Sequence, residues 1–269
     1  MWFSNIYTPM TATKDAGEIL ETIIDDGHAE LSRGSAGLAF SGLAAGLNIS
    51  FSTVALAIVG SLTGSIGLLA YAAYPVGFII IILGQSELFT EHTVPPVAVA
   101  LTDRSQIWNM LRLWTVIFIF NVLGAIAFAF VVSYGGILSP TASDLLINEV
   151  SEKMETGFWA LVLKAIFGGW LVALVAWLVA ASQDTISQIL ITWLLVFIIP
   201  AAGLAHCIAG SSEVLVSVFA GKTSWYEYLG DFLLPATLGN AVGGIVLVTL
   251  LNYGQVIGSR FKSNGNGLS

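Results

Sequence analysis

The chain has few charged residues for its length. Only 10% of its 269 residues are Asp, Glu, Lys or Arg, against about 25% in an average soluble domain. Hydrophobic residues make up 56% of the sequence, and the mean hydropathy is +0.87. Such a chain cannot present a water-compatible surface on all sides. The composition therefore excludes a soluble globular protein and predicts an all-α integral membrane protein.

Cysteine is also scarce. The single Cys207 excludes an internal disulfide bond and a metal site made of cysteines alone. The formal net charge of −8 comes from acids that cluster outside the apolar stretches, so it does not point to a particular partner. We expect no enzymatic activity, no cofactor, no bound metal and no nucleic-acid partner.

Long apolar stretches are the main feature that is present. Five stretches carry at most one charged residue: 34–86, 113–143, 157–183, 185–212 and 232–259. About 20 apolar residues cross a bilayer as a helix, so the first stretch holds two crossings and each of the others holds one. The sequence thus predicts a domain of six transmembrane helices over residues 34–258.

Two polar segments flank this domain. Residues 1–33 are rich in acids and contain no cleavable signal peptide. Within them, residues 16–31 place apolar side chains on one helical face, which predicts an amphipathic helix lying against its own or a neighbouring subunit. Residues 259–269 are rich in Gly, Ser and Asn, and we expect a disordered tail.

The distribution of basic residues predicts the orientation. With the N-terminus in the cytoplasm, six basic residues lie inside or at the inner boundary: Lys14, Arg33, Arg104, Arg112, Arg260 and Lys262. Only Lys153 and Lys222 then lie outside, in agreement with the positive-inside rule. We expect a multi-pass protein of the cell (inner) membrane with both termini in the cytoplasm.

The sequence contains two internal matches. Residues 84–89 (GQSELF) resemble residues 210–215 (GSSEVL), and residues 121–124 (NVLG) resemble residues 240–243 (NAVG). Each half, about 34–135 and 157–258, holds three crossings, so the halves must run in opposite directions. This pattern predicts a 3+3 inverted repeat, which places a pathway near the bilayer midplane.

Crossings two and five contain residues that interrupt helices. In the second, the apolar run meets residues 84–87 and then Pro95; in the fifth, Pro200 and Gly203 precede residues 205–213. We predict that both helices are broken and that the breaks line the pathway. Four polar residues follow the breaks, and they either cap the second half-helices or face the pore: Ser86, Glu87, Ser212 and Glu213.

His206 is the most specific candidate in the pathway. Histidine in an apolar crossing is often only a hydrogen-bonded core residue. Its position inside a predicted break favours a functional role, because ionisable groups at this depth are costly. An imidazole there could donate a hydrogen bond to a passing anion or lend it a proton.

Several short motifs resemble the formate/nitrite transporter family. Residues 88–90 (LFT) are similar to the family's loop in the second helix, and His206 falls on its central pore histidine. Residues 235–240 (PATLGN) with the following Gly243 and Gly244 are similar to its sixth-helix signature. Trp170, Leu171, Val172 and Trp177 fit its fourth helix. The resemblance covers roughly residues 17–258.

The resemblance implies an aquaporin-like fold, assembled in the bilayer as a homopentamer with one pore in each subunit. It implies that Leu88, Phe89 and Val172 narrow the pore on either side of His206. Thr90 and Asn240 would contribute polar contacts near the histidine or its loop, and Lys153 would concentrate anions at the outer mouth. The implied substrates are formate, nitrite and similar small anions; movement together with a proton stays open.

The chain departs from the family at two positions. Ala205 stands where the family usually has Glu, and Gly169 stands where it usually has Asn. Those groups commonly join the vestibule lysine in one polar network. A buried lysine without partners is costly, so we expect Lys153 to contact another acid or water, with Glu87 or Glu213 as candidates.

Three alternatives remain at this point. Glu87 and Glu213 could form a paired acidic site on the axis of a channel for cations or neutral solutes. His206 with the same two acids could form a metal or enzyme site, although one histidine and two acids make a thin ligand set. The chain could also be a purely structural membrane protein.

Overall fold

The computed structural model of the chain describes residues 14–265, and within them the fold is helical without strands. The helices are α1 (Ala16–Leu31), α2 (Ser35–Ile49), α3 (Phe51–Thr63), α4 (Leu68–Ala73), α5 (Val76–Gly84), α6 (Pro95–Thr102), α7 (Ile107–Tyr134), α8 (Pro140–Met154), α9 (Phe158–Ala181), α10 (Thr185–Ala201), α11 (Cys207–Phe219), α12 (Trp225–Glu227), α13 (Leu234–Gly244) and α14 (Leu251–Gly265). Short π-helical segments join α12 to α13 and α13 to α14.

Seven segments of the described chain are apolar helices of membrane character. Four are long enough to cross a bilayer: Ser35–Thr63, Arg104–Tyr134, Phe158–Ala181 and Trp225–Ser259. Three are shorter: Leu68–Gly84, Thr185–Ala201 and Cys207–Phe219. An all-helical membrane fold is therefore confirmed, whereas the count of six crossings and the inverted repeat stay predictions.

Both predicted helix breaks are present. α5 ends at Gly84, and Gln85 adopts a left-handed backbone conformation (φ 54°) before the chain resumes a helix at Pro95. α10 ends one residue after Pro200, and Gly203 (φ 61°) follows. The next helix, α11, begins at Cys207. Proline and residues with positive φ end helices, so the sequence encodes both breaks locally.

The second break is shorter than the sequence indicated. Residues 210–213, which were expected to belong to it, lie inside α11. Ser212 and Glu213 consequently do not cap a half-helix, and that prediction is wrong. Residues 84–89 lie mostly in a loop and residues 210–215 in a helix, so the similarity between those two motifs does not reflect structural equivalence.

Two helix pairs pack at very short range, α2 on α7 and α9 on α13. A Cβ atom on Gly46 of α2 would lie 2.1 Å from the carbonyl oxygen of Asn121. A Cβ on Gly243 of α13 would lie 2.1 Å from that of Ile166. Glycine at these crossings lets the helix backbones touch, as is common between helices in membranes. This packing positions Asn121 and Asn240 beside the two breaks.

The amphipathic helix predicted for residues 16–31 is α1, with the same bounds. Asp15 caps its start in a capping box with Glu18. Its buried face packs mainly against α6 of the same chain and holds Ile19, Leu20, Ile23 and Leu31.

The other end of the chain differs from the prediction of a disordered tail from residue 259. α14 continues from Leu251 to Gly265. Residues 1–13 and 266–269 lie outside the described part of the chain.

Candidate functional site

Asn121 of α7 holds the break between α5 and α6 in place. Its side-chain oxygen accepts a hydrogen bond from the Phe89 N–H at 2.9 Å. Its side-chain nitrogen donates to the carbonyl oxygens of Gly42 at 2.8 Å and Glu87 at 2.9 Å. Asn121 is fully buried, and its bonds to Phe89 and Glu87 satisfy backbone groups that the broken helix leaves unpaired.

Asn240 of α13 makes the corresponding bonds at the break between α10 and α11. Its side-chain oxygen accepts from the Cys207 N–H at 2.8 Å, and its nitrogen donates to Ala165 at 2.7 Å and Ala205 at 2.9 Å. Asn240 therefore fixes the residues on either side of His206. The match between residues 121–124 and 240–243 has a structural counterpart, since each asparagine binds one break.

His206 caps α11, a role that the sequence did not indicate. Its Nδ1 accepts a hydrogen bond from the Ala209 N–H at 3.1 Å. Because Nδ1 is an acceptor, Nε2 carries the proton of the neutral ring and donates to the Thr90 hydroxyl oxygen at 2.8 Å. Both side chains are buried. The two helix breaks thus meet through these two side chains.

His206 also reaches a small cavity on the side of α8, which we name the α8-side cavity. Its volume is about 20 Å³, enough for about one water molecule. Glu149, Lys153 and Glu213 line it together with His206. These three titratable side chains and the buried imidazole therefore face the same cavity.

Lys153 binds Glu213 in this cavity, through Nζ and Oε2. The side chain of Glu213 is 2% exposed and that of Lys153 is 20% exposed. The expectation that Lys153 finds an acid in place of the family's usual partners is confirmed.

Burial and nearby charges shift the pKa values of Lys153 and Glu149, which both lie on α8. Burial is the largest single influence and lowers the pKa of Lys153, but the charge and hydrogen bond of Glu213, together with Glu149 and Tyr71, outweigh it, and the net pKa is raised. Burial raises the pKa of Glu149, and the nearby Lys153 offsets this only in part. Lys153 is therefore held in its charged form, and Glu149 takes up a proton more readily than an exposed carboxylate.

Glu87 lies in a second cavity, of about 640 Å³, on the side of α1. We name it the α1-side cavity. Glu87 binds Arg33 through Oε1 and faces His92 through Oε2, and Glu30 approaches the same imidazole. The sequence assigned no role to His92, which is buried between these carboxylates. No local motif shows this contact, because Glu30 and Arg33 come from α1 and its end.

The predicted constriction residues are all buried. Leu88, Phe89 and Val172 are at most 6% exposed and line neither of the two cavities. The Phe89 ring packs edge-on against Phe118 of α7, with centroids 5.1 Å apart. Phe78, which the sequence did not indicate, packs edge-on against the His206 ring at 5.1 Å.

The two serines of the candidate set have different surroundings. Ser86 lines the α1-side cavity, and its buried hydroxyl has no hydrogen-bond partner among the described residues. Ser212 lies inside α11, donates to the Ala209 carbonyl at 2.7 Å and contacts the Thr53 hydroxyl at 2.5 Å. Ser86 thus remains a candidate pore group, whereas Ser212 ties α11 to α3.

The carboxylates of Glu87 and Glu213 do not form the paired acidic site of the cation-channel alternative. Glu213 binds Lys153 in one cavity, and Glu87 binds Arg33 in the other. His206 shares its cavity with Glu213 and not with Glu87, so the metal site considered for these three side chains is not assembled either.

Known proteins similar to this chain include membrane proteins and named transporters. A sequence model described as formate/nitrite transporter matches residues 17–254. The inner membrane protein YfdC of Escherichia coli K12 is 32% identical over 246 residues, which cover 88% of this chain and 78% of that protein. The probable formate transporter of Methanothermobacter thermautotrophicus is 30% identical over 236 residues, which cover 80% of this chain and 83% of that protein.

Solved structures share the fold. A structure titled FNT family ion channel aligns with a TM-score of 0.76 at 21% identity and covers 87% of this chain and 96% of its own. One titled pentameric formate channel with formate bound aligns with a TM-score of 0.69 at 20% identity and covers 83% of this chain and 98% of its own.

Broken apolar helices that meet at buried polar side chains are typical of multi-pass membrane channels and transporters, because non-helical backbone at membrane depth must be buried in protein or line a cavity. The family match covers most of the chain and agrees with this fold. The chain belongs to the formate/nitrite transporter family.

Proposed function

We propose that the chain is a channel for small monovalent anions, with formate and nitrite as the first substrates to test. The hydrogen bond between His206 and Thr90 at the junction of the two breaks is the observation that carries this proposal. With the imidazole proton donated to Thr90, the threonine hydroxyl is free to donate its own proton to an anion. A similar protein named as a probable formate transporter supports the choice of substrate.

The proposed pathway runs from the α8-side cavity past His206 to the α1-side cavity. Lys153 concentrates anions at the first cavity, although Glu213 neutralises part of its field. The apolar side chains of Leu88, Phe89 and Val172 close the space between the cavities and exclude water. Thr90, His206 and Asn240 supply the polar groups at its centre, and Ser86 and Glu87 lie at the far end.

An imidazolium that forms when His206 takes up a solvent proton at Nδ1, with loss of the hydrogen bond from the Ala209 N–H, would pass its Nε2 proton to the substrate and return to the neutral ring. The substrate would then cross the apolar constriction as a neutral acid. A charge in an apolar constriction is costly, so neutralisation lowers the barrier. The distribution of basic residues supports a cytoplasmic α1 side. The similar inner membrane protein of Escherichia coli supports a location in the inner membrane. The solved channel titled pentameric supports a homopentamer with one pathway in each subunit.

Formate and nitrite uptake into proteoliposomes tests the proposal. We expect wild-type protein to conduct both anions and His206→Ala to lose most of the flux. His206→Asn retains an acceptor that can cap α11 but no titratable proton, so it separates capping from proton transfer. Wild-type vesicles no leakier than empty ones would refute the function. A reversal potential that follows the cation gradient would refute anion selectivity.

A further inference from the structure

Three side chains meet at the wall of the α1-side cavity, away from the His206–Thr90 junction. One ligand atom each from Glu30, Glu87 and His92 lies within 4.8 Å of the other two. Glu30 comes from α1, whereas the other two come from the loop between α5 and α6. The cluster therefore bridges two elements that are distant in the sequence.

The backbone fixes the direction in which the His92 ring presents its free nitrogen. Nδ1 lies 2.8 Å from the Leu88 carbonyl oxygen, which can only accept, so Nδ1 carries the ring proton. In the neutral ring Nε2 then has a lone pair, and it faces the Glu30 and Glu87 carboxylates. Histidines that ligate metals usually donate their other N–H in this way.

The atoms in the centre of the cluster lack normal hydrogen bonds. His92 Nε2 and Glu30 Oε2 are 3.0 Å apart, yet among the described residues neither makes a hydrogen bond of acceptable geometry. His92 is 4% exposed and Glu87 is 6% exposed, so bulk water does not satisfy them. An imidazole nitrogen and two carboxylates held this close need a positive charge between them, which either a proton on Nε2 or a metal ion supplies.

Neighbouring groups are arranged as an outer shell around a cation. Arg33 binds Oε1 of Glu87 and leaves Oε2 directed at His92. Such a contact orients a ligating carboxylate. Glu91 lines the same cavity, and its buried Oε1 has no hydrogen-bond partner in the described chain. The cavity itself provides an entry path and space for water ligands.

We propose that Glu30, Glu87 and His92 bind one divalent transition-metal ion of the Zn²⁺ type. Two carboxylates and one imidazole suit Zn²⁺ better than Mg²⁺, which prefers oxygen ligands and keeps most of its water. The bound ion joins α1 to the loop between α5 and α6 at the wall of the cavity. The site lies at the wall of the cavity that the proposed anion pathway enters and shares Glu87 with it. Metal binding is measured without anion flux, so the failure of one proposal leaves the other standing.

The site is tested on the full-length, untagged protein. The protein is first stripped of metal with EDTA and then dialysed to equilibrium against Zn²⁺. We expect one Zn²⁺ per subunit and much weaker binding of Mg²⁺. Glu30→Gln and His92→Gln should each weaken Zn²⁺ binding by about 10-fold or more, since even outer-shell mutations cost 10- to 100-fold. Asp25→Asn removes the same charge from the exposed side of α1 and should bind like wild type.

Thermal unfolding in EDTA identifies variants that fail to fold, and Glu30→Gln is the safer variant because Glu30 is only partly buried. Hydrogen exchange adds a second readout: Zn²⁺ should slow amide exchange in α1 of wild type but not of Glu30→Gln. Wild type that binds no Zn²⁺, equal binding of Mg²⁺ and Zn²⁺, or binding unchanged in folded Glu30→Gln would each overturn the proposal.

Discussion

The His206 imidazole and the Thr90 hydroxyl join the two helix breaks through one hydrogen bond of 2.8 Å. The opposite ring nitrogen of His206 is bound to the Ala209 N–H, so rotation of the ring would break both bonds. The edge of Phe78 packs against the same ring. The imidazole is therefore preorganised before any substrate arrives.

Removal of the Thr90 hydroxyl tests the importance of this bond. We expect Thr90→Val to reduce formate flux in proteoliposomes by about 10-fold or more, because an unpaired buried N–H costs about 1–3 kcal/mol and the imidazole loses its orientation. Thr90→Ser keeps the hydroxyl and should retain most of the flux. Equal flux through the valine and serine variants would contradict the role of the hydroxyl.

The ion pair between Lys153 and Glu213 makes a second prediction, on stability. Lys153→Met leaves the buried Glu213 carboxylate without a cation, and we expect a loss of about 3 kcal/mol in the free energy of unfolding. Adding Glu213→Gln to the same variant removes the isolated charge and should restore part of that loss. Thermal unfolding in detergent compares the three proteins.

The pH dependence of this pair has a defined sign. The pKa of Lys153 is raised in the folded protein above its ordinary value of 10.5. The stabilisation that comes from the raised pKa of Lys153 is thus fully present below about pH 10.5, and it is lost as the pH rises through the folded pKa. A double variant as unstable as Lys153→Met, or a pair contribution lost between pH 6 and 8, would contradict this account.

Much of the fold could be predicted from the sequence because its signals are local. Uncharged stretches specify membrane helices, and Pro200 with Gly203 specifies a break within a few residues. The register of the second break could not be predicted. The polar residues 210–213 predicted an interruption of the helix. The helix continues through them because α11 is buried along nearly all its length and their side chains form hydrogen bonds inside the protein.

The polar contacts of the site depend on tertiary packing, which the sequence does not reveal. His92 becomes buried only because α1 folds back and brings Glu30 beside it. Glu213 pairs with Lys153 because α8 packs against α11. A functional role for His206 could be predicted because an ionisable group buried in a membrane is energetically costly. Its role as a helix cap could not, because that role depends on the position of the Ala209 N–H in the folded chain.

Gly169 makes a third prediction. A Cβ atom at this position would lie 2.3 Å from the carbonyl oxygen of Asn240 and 2.4 Å from its Cα atom. Because the obstacle is backbone, Gly169→Ala must push α9 away from α13, and we expect a loss of about 2 kcal/mol or more in stability. The displacement should also weaken the hydrogen bonds of Asn240 to Ala205 and Cys207, on either side of His206, and so reduce anion flux.

Gly254→Ala is the matched control for this substitution. Gly254 lies in α14 with no atom near its ideal Cβ position, so alanine there should be neutral or stabilise the protein by up to about 1 kcal/mol. Thermal unfolding and formate flux measure both variants. If Gly169→Ala behaved like Gly254→Ala, the close contact between α9 and α13 would not be essential.

The last prediction concerns Glu149, whose raised pKa comes mainly from burial beside the α8-side cavity. As the pH falls through this raised pKa, the side chain loses its negative charge and anions enter more easily. Glu149→Gln is neutral at every pH, so we expect about 2- to 5-fold higher formate flux at neutral pH, as one removed charge at short range implies. Its flux should also rise less on acidification. Glu155→Gln is the control: it removes an exposed charge at the end of the same helix and should follow the wild-type pH profile. If the pH profile of Glu149→Gln ran parallel to that of wild type, the Glu149 carboxylate would not control anion entry.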